Sequence, residues 1–206
     1  MPQWIIFYRN LIAGNKLWIK KTAVWAVFWS IVGALTFMVR PESASDFIEA
    51  IQRIFKDILG GKELTLDFSS VWLIFRNNFE AALVVLFGGI LLGLIPLASL
   101  GINFFILGYL LALFGTGNEQ GLTIFLATVA PHGIVELPLF LLAAGFGLRL
   151  GWFWRLSILA SNWQKFRICL RDNIRLVPLL AVGFFLAAML EIFVSGRLAQ
   201  YYAGQL

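Results

Sequence analysis

The sequence predicts an all-α, polytopic membrane protein with about five transmembrane helices, and three observations lead to that fold class. Hydrophobic residues make up 60% of the 206 residues and charged residues only 13%, whereas a soluble domain is about half apolar and a quarter charged. The mean hydropathy is +0.86. The apolar residues also occur in runs of about 17–25, the length that crosses a bilayer as a helix. One globular core could not bury this excess, so a lipid bilayer is the expected partner.

Five apolar runs qualify as spanning helices, and together they predict a single membrane domain over residues 1–206. The runs cover residues 22–39, 79–98, 99–115, 122–150 and 176–195. The second and third are expected to meet at a tight turn near Pro96 and Gly101, because both residue types favour turns. A polar loop, 40–78, separates the first and second runs. Within it, residues 46–59 carry large apolar side chains at helical spacing, which predicts an amphipathic helix.

Two further segments are predicted to be amphipathic helices in the membrane interface. In 152–174 large apolar residues recur every three or four positions, and the basic residues lie largely off that stripe. An apolar face beside a basic face is typical of a helix lying flat on anionic lipid. The N-terminal segment 4–21 shows a weaker form of the same pattern. The alternative, in which either helix packs on protein instead of lipid, stays open.

Lysine and arginine residues give the expected orientation in the cell membrane. Four lie in the N-terminal segment and six between 149 and 175, which places both segments in the cytoplasm if 122–150 crosses the membrane once. The five basic residues of 40–78 count against this orientation. The net charge of +5 is spread between the apolar runs, so no nucleic-acid partner is expected. The single cysteine, Cys169, excludes a disulfide framework and a cysteine-based zinc site.

The fourth run contains a polar segment that predicts a broken helix. Pro131 and Pro138 lack an N–H group, so each leaves a backbone carbonyl without its helical partner. Gly133 has no side chain at the same level. His132 and Glu136 are four residues apart and would share one face of a continuing helix. Because lipid cannot satisfy the freed carbonyls, this backbone is expected to be buried in protein or to line a polar cavity.

Polar side chains inside a membrane are expected to face the bundle interior, because lipid solvates them poorly. The predicted intramembrane cluster consists of His132, Glu136, Glu191, Asn103, Asn77 and Asn78. It admits three interpretations: a structural staple, an ion or proton site of a channel or transporter, and a metal site. The metal site is the least favoured, because the chain has no second histidine. No hydrolase or phosphate-loop motif occurs, so neither catalytic residues, nor a cofactor, nor a metal is expected.

Small residues spaced four apart predict helix pairs whose backbones approach closely. Gly89 and Gly93 form one such pair, and Gly147 and Gly151 form another. Ordinary packing within the five-helix bundle is favoured over a dedicated dimer face, since such motifs are common in membrane bundles. A homo-oligomer remains a possible arrangement.

Several of these motifs together resemble the stage II sporulation protein M (SpoIIM) family. They are Gly88-Gly89-Ile90-Leu91-Leu92-Gly93, Asn103 with Gly108, Pro131-His132-Gly133-Ile134-Val135-Glu136-Leu137-Pro138, Gly147-Leu148-Arg149-Leu150-Gly151, Asn77-Asn78 and Glu191. The resemblance covers residues 75–195, and the segment before them matches by topology alone. One departure is Phe104, where many members of the family have glycine.

The resemblance implies a polytopic protein of about five helices that, in spore formers, acts in engulfment by assembling with and positioning cell-wall hydrolases. The family extends beyond spore formers, and its role elsewhere is largely undefined. The expected function is therefore a non-catalytic membrane scaffold for other membrane or cell-wall hydrolase proteins. The alternative is a channel or secondary transporter that uses His132 and Glu136 as an ion or proton site.

Overall fold

The computed structural model describes residues 2–58, 64–117, 119–160 and 163–203. Within these ranges the chain is almost entirely helical and contains no β-strand. Five helical segments are long and apolar enough to cross a membrane: Lys16–Val39, Phe68–Ile90, Leu94–Thr116, Gly121–Ala160 and Trp163–Tyr202. The predicted fold class, all-α with about five spanning helices, is confirmed.

The helices are numbered here in chain order. They are α1 (Gln3–Ala13), α2 (Lys16–Val39), α3 (Ala44–Ile58), α4 (Phe68–Phe87), α5 (Leu94–Thr116), α6 (Glu119–Ala160), α7 (Trp163–Leu190) and α8 (Gly196–Ala203), with 3-10 turns at Pro41–Ser43 and Gly88–Ile90 and a π-helical turn at Glu191–Ser195. Helix α2 packs mainly on α5, and α7 packs on α4 and α6. Helix α3 is the amphipathic helix predicted over 46–59, whose last residue, Leu59, lies outside the described ranges.

Helix α4 begins at Phe68, well before the predicted start of the second span at residue 79. Asp67 caps it: its carboxylate accepts hydrogen bonds from the Ser70 amide at 2.9 Å, the Thr65 hydroxyl at 2.7 Å and the Ser69 hydroxyl at 2.8 Å. These bonds, the one from Thr65 foremost, hold the pKa of Asp67 well below its usual range. An Asp N-cap that satisfies a free amide of the first turn is a strong helix start.

The turn between α4 and α5 lies at Leu91–Gly93, so the boundaries predicted as 79–98 and 99–115 were wrong. Gly93 has a φ of 80°, in the left-handed region that glycine adopts without steric cost. Pro96 lies in the first turn of α5, where the missing N–H group needs no helical partner. Gly101 lies inside α5. The polar residues at 76–78 caused the error, because they made the first half of α4 read as loop.

The predicted interfacial helix over 152–174 is also wrong, because α6 and α7 run through this segment as two arms of a hairpin. The ring of Trp154 on α6 lies 5.8 Å from that of Trp163 and 5.1 Å from that of Phe166 on α7. In one continuous helix, Trp154 and Phe166 would be about 18 Å apart. The connecting residues 161–162 lie outside the described ranges. These aromatic side chains pack one arm on the other, whereas Leu159 and Ile174 of the apolar stripe are exposed.

The hairpin extends the bundle at one end. Helix α6 has 42 residues and so is about 63 Å long, twice the roughly 30 Å thickness of the hydrocarbon layer. Trp18 on α2 packs against Trp152 on α6, with ring centroids 6.1 Å apart. Lys21 and Arg155 line the same small cavity as these two tryptophans. We call this end of the molecule the basic end.

Two helix crossings depend on glycine. A side chain at Gly89 would collide with the backbone of Gly147, and one at Gly147 with the carbonyl of Val85. A side chain at Gly151 would collide with the backbones of Gly89 and Gly93. These four glycines thus bring α6 against the end of α4 within one chain. The second crossing, of α2 with α5, places Gly33 and Gly108 against the facing backbones. The sequence analysis did not single out this pair as packing residues.

Candidate functional site

Helices α6 and α7 bring three ionisable side chains together inside the bundle. His132 and Glu136 lie one helical turn apart on α6, and Glu191 is the first residue of the π-helical turn that follows α7. One imidazole nitrogen and one oxygen from each carboxylate all lie within 4.8 Å of one another. We call these three residues the His–Glu cluster. The spacing on α6 was visible in the sequence, whereas the approach of Glu191 required the α6–α7 packing.

Two neighbouring side chains orient the cluster. Asn78 on α4 donates a hydrogen bond to Oε2 of Glu136 at 3.2 Å. Nδ1 of His132 lies 3.1 Å from the hydroxyl oxygen of Ser195, which is buried. Ser195 was not predicted, although its position four residues after Glu191 places both on one side of a helical turn. Two helices, α4 and α6, therefore contribute to the site together with the π-helical turn after α7, a feature often found at functional sites, which carries two of its residues.

Contacts along α6 show the depth of the cluster in the bundle. Towards the start of α6, Phe125 stacks on Phe114 of α5 with ring centroids 5.0 Å apart. Towards the basic end, the hydroxyl of Thr22 donates to the carbonyl of Leu141 at 3.4 Å. Thr22 begins the apolar run of α2, and Phe114 lies near the end of that of α5. Because the cluster lies between these two levels, it is inside the apolar layer.

The charges of the His–Glu cluster are not balanced by a basic residue of the described chain. The described ion pairs are Arg53–Glu49, Arg76–Glu80 and Arg149–Asp172, and none includes Glu136 or Glu191. Two carboxylates this close repel each other when both are ionised, and a medium of low dielectric constant strengthens the repulsion. A proton or a cation between the two carboxylates would relieve this repulsion.

Two of the predicted cluster residues lie elsewhere. Asn103 is exposed on α5 and donates to the carbonyl of Ser99 on its own helix at 2.8 Å. Asn77 is exposed on α4, with its amide nitrogen 3.3 Å from Oδ1 of Asn78. Only Asn78 of the three asparagines reaches the site. Sequence spacing could not separate adjacent residues such as Asn77 and Asn78, whose side chains point about 100° apart around a helix.

The fourth span was predicted to be broken, but α6 stays helical through Pro131 and Pro138. The two prolines remove backbone hydrogen bonds without interrupting the helix. Gly133 is buried but makes no close approach: a Cβ atom there would meet only side-chain atoms of Val129 and Leu137, at 3.8 and 3.9 Å. Gly133 therefore does not serve a close backbone approach. Helix α6 thus continues through a segment where the sequence alone favoured an interruption.

A second buried polar group lies near the basic end and was missed. Arg149 on α6 pairs with Asp172 on α7 at 2.9 Å, and these side chains are only 16% and 14% exposed. Arg149 also donates to Oδ1 of Asn15 at 2.7 Å, and Asn15 is 1% exposed. We call these three residues the arginine cluster. Its signal in the sequence was the single acid, Asp172, among the six basic residues of 149–175.

Helix α4 also presents charged side chains on the face turned away from the bundle. Arg76 donates to Oε1 of Glu80 at 2.8 Å, and these side chains are 66% and 59% exposed. With the exposed Asn77 they form what we call the α4 polar stripe. The adjacent Asn78 reaches Glu136, so the stripe lies at the depth of the His–Glu cluster. The sequence analysis had assigned Arg76 and Asn77 to the 40–78 loop.

Comparison with known proteins places these features in a family. The sequence model of the family described as Stage II sporulation protein M matches residues 22–196. The uncharacterized protein MJ0793 of Methanocaldococcus jannaschii is 26% identical over 129 residues, which is 62% of this chain and 72% of that protein. No solved structure matches the chain. The matched range includes the His–Glu cluster, the α4 polar stripe, and Arg149 and Asp172 of the arginine cluster.

Proposed function

Because the chain belongs to the stage II sporulation protein M family, we propose that this membrane protein is a non-catalytic scaffold that assembles or positions partner proteins in the cell membrane. In a spore former, those partners are cell-wall hydrolases and other parts of the engulfment machinery. The observation that most supports a scaffold is the α4 polar stripe. Its side chains lie on the outer surface of the bundle at the depth of the apolar layer.

Lipid is a poor solvent for such a surface. A charged side chain at the centre of a spanning helix costs about 2.5–3.5 kcal/mol even on the mildest scale. The Arg76–Glu80 pair is neutral as a unit, yet its remaining N–H groups and carboxylate lone pairs need hydrogen-bond partners. A spanning helix of another protein that carries polar side chains at the same depth would supply them. The stripe thus fits a partner helix better than it fits lipid.

Site-specific photo-crosslinking in native membranes tests the scaffold. A crosslinking amino acid at Asn77, on the stripe, should capture a defined membrane or cell-wall hydrolase protein. The same amino acid at Val24, an exposed apolar position on α2, serves as the control and should label lipid. In the double variant Arg76→Leu/Glu80→Leu, the Asn77 crosslink should be lost. The variant should keep or raise its melting temperature, because leucine replaces charged side chains that lipid solvates poorly. Equal labelling from Asn77 and Val24 would contradict the scaffold.

The His–Glu cluster favours a second function, transport of protons or cations. Intramembrane carboxylates and histidines mark ion pathways and proton relays in pumps and transporters. If the protein transports, Glu136→Gln should abolish a proton- or cation-dependent flux in liposomes while leaving the fold intact. Arg76→Leu/Glu80→Leu is the matched control and should keep the flux. A wild-type protein without measurable flux would count against transport.

For orientation, we propose that the basic end faces the cytoplasm, since lysine and arginine are retained on that side. A topology reporter inserted near Asn162, which lies outside the described residues, should then score as cytoplasmic. A reporter fused after Leu206 should score as external. The proposal is wrong if both reporters give the same result.

A further inference from the structure

The His–Glu cluster has the composition of a metal site. The sequence offered only His132 and Glu136 as ligands, too few to favour a metal. Glu191 adds a third ligand from a different helix, and the three ligand atoms lie within 4.8 Å of one another. Zinc sites with an open coordination position commonly have three protein ligands, and water occupies the remaining position. We propose that His132, Glu136 and Glu191 bind one divalent transition-metal ion inside the bundle.

The distances allow this with small side-chain movements. Two ligands of a tetrahedral ion with bonds of about 2.1 Å lie about 3.4 Å apart. Rotation of a carboxylate about its own bonds covers the remaining difference. His132 and Glu136 already share one face of α6, and Glu191 approaches that face from the π-helical turn. No change in the helix packing is required.

Charge balance supports the same occupant. Neither carboxylate of the cluster has a basic partner among the described residues. A divalent cation neutralises both, whereas a single shared proton leaves one negative charge in the apolar layer. Among divalent ions, one imidazole and two carboxylates suit Mn²⁺, Fe²⁺ or Zn²⁺. Imidazole favours transition metals, and carboxylates also bind harder ions such as Mn²⁺.

The neighbouring hydrogen bonds are those expected around metal ligands. A ligating histidine uses its second ring nitrogen for a hydrogen bond, and ligating carboxylates are themselves hydrogen-bonded. His132 has Ser195 at 3.1 Å, and Glu136 has Asn78 at 3.2 Å. Both bonds would hold the ligands in place for the ion. This inference does not rest on the scaffold function, which depends on the opposite face of α4.

The test uses the full chain with a purification tag that contains no histidine. The protein is stripped with a chelator in detergent and then titrated with Mn²⁺ or Zn²⁺. We expect about one ion per chain by elemental analysis and a higher melting temperature with bound metal. Pulsed electron paramagnetic resonance of the Mn²⁺ form should show nitrogen coupling from one imidazole. The assignment needs no variant, because His132 is the chain's only histidine.

Variants complete the experiment. Glu191→Gln and His132→Gln should each weaken metal binding by about tenfold or more, the scale found even for groups that only support the ligands. Glu80→Gln removes a carboxylate at the same depth outside the cluster and should bind as the wild type does. The proposal is overturned if the Mn²⁺ form lacks imidazole coupling, or if Glu191→Gln folds and retains the full metal content.

Discussion

The two partly buried polar clusters of the bundle both lie along α6 and handle charge in opposite ways. Glu136 of the His–Glu cluster and Arg149 of the arginine cluster are thirteen residues apart on α6, or about 20 Å. In the arginine cluster, the Asp172 carboxylate meets a guanidinium and Asn15 accepts another of its hydrogen bonds. In the His–Glu cluster, two carboxylates meet one imidazole and no basic residue of the described chain.

This difference separates a structural role from a functional one. A buried charge that is fully paired within the chain fixes how helices pack and needs nothing from outside. A buried pair of carboxylates without a counter-charge is stable only with a proton or cation supplied from outside. The arginine cluster therefore links α6, α7 and the junction of α1 with α2 without an outside partner, and the His–Glu cluster is the candidate for ligand binding or transport.

The largest expected effect comes from breaking the arginine cluster. Arg149→Met leaves Asp172 buried without its partner and should lower stability by about 3–5 kcal/mol. Thermal unfolding in detergent measures this. The double variant Arg149→Met/Asp172→Leu removes both charges and should recover most of the loss. If the double variant is no more stable than the single one, the ion pair is not the cause and the structural role assigned to this cluster is wrong.

The glycine crossing beside the arginine cluster should give the next largest effect. Gly147→Ala places a Cβ atom against the carbonyl of Val85 and should lower stability by about 3 kcal/mol, the upper end for overpacking. Gly133→Ala, near the His–Glu cluster on the same helix, is the matched control. Its Cβ atom makes only ordinary van der Waals contacts with Val129 and Leu137, so it should be neutral or stabilise by up to about 1 kcal/mol. Equal losses from the two variants would contradict the crossing geometry.

A smaller effect is expected at the His–Glu cluster when a chelator is present. Glu136→Ala leaves the Asn78 amide without its acceptor and should lower stability by about 1–3 kcal/mol. Glu136→Gln keeps a carbonyl oxygen and should be milder. Melting temperatures of the two variants check this order. If Glu136→Gln is more stable than the wild type without metal, repulsion between Glu136 and Glu191 outweighs the hydrogen bond, which sharpens the contrast with the arginine cluster.

The smallest effect concerns Asp67, an exposed charge that contrasts with both buried clusters. Its pKa is lowered in the folded state by hydrogen bonds from Thr65, Ser70 and Ser69. Its stabilisation of the α4 start is therefore fully present above the ordinary Asp value of about 3.9. It is lost as the pH falls from there through the lowered pKa. Hydrogen exchange of the Ser70 amide should accelerate over that range relative to its intrinsic rate, and Asp67→Asn should remove most of this pH dependence.

Residue pattern predicted the fold class, the five spans and the α6 part of the site. It could do so because hydropathy and spacing along one helix are local properties. Pattern failed where polar residues occur inside a spanning helix. It began the second span too late, at 79 instead of Phe68, because Arg76, Asn77 and Asn78 resemble a loop. It also predicted one helix over 152–174, where the structure has the two arms of the α6–α7 hairpin. An apolar stripe on a helix can contact either lipid or another helix, so the pattern does not distinguish the two.

The sequence by itself determined that this chain enters a membrane as about five helices and that His132 and Glu136 share a helix face. Only the tertiary structure decided which polar residues meet. Glu191 lies in the His–Glu cluster, whereas Asn103 bonds to its own helix. Asp172 on α7 forms an ion pair with Arg149 on α6. The physical reason is that contacts between helices depend on their rotation and relative depth. Close backbone approaches such as those at Gly89, Gly147 and Gly151 set these quantities, and spacing along a single helix does not encode them.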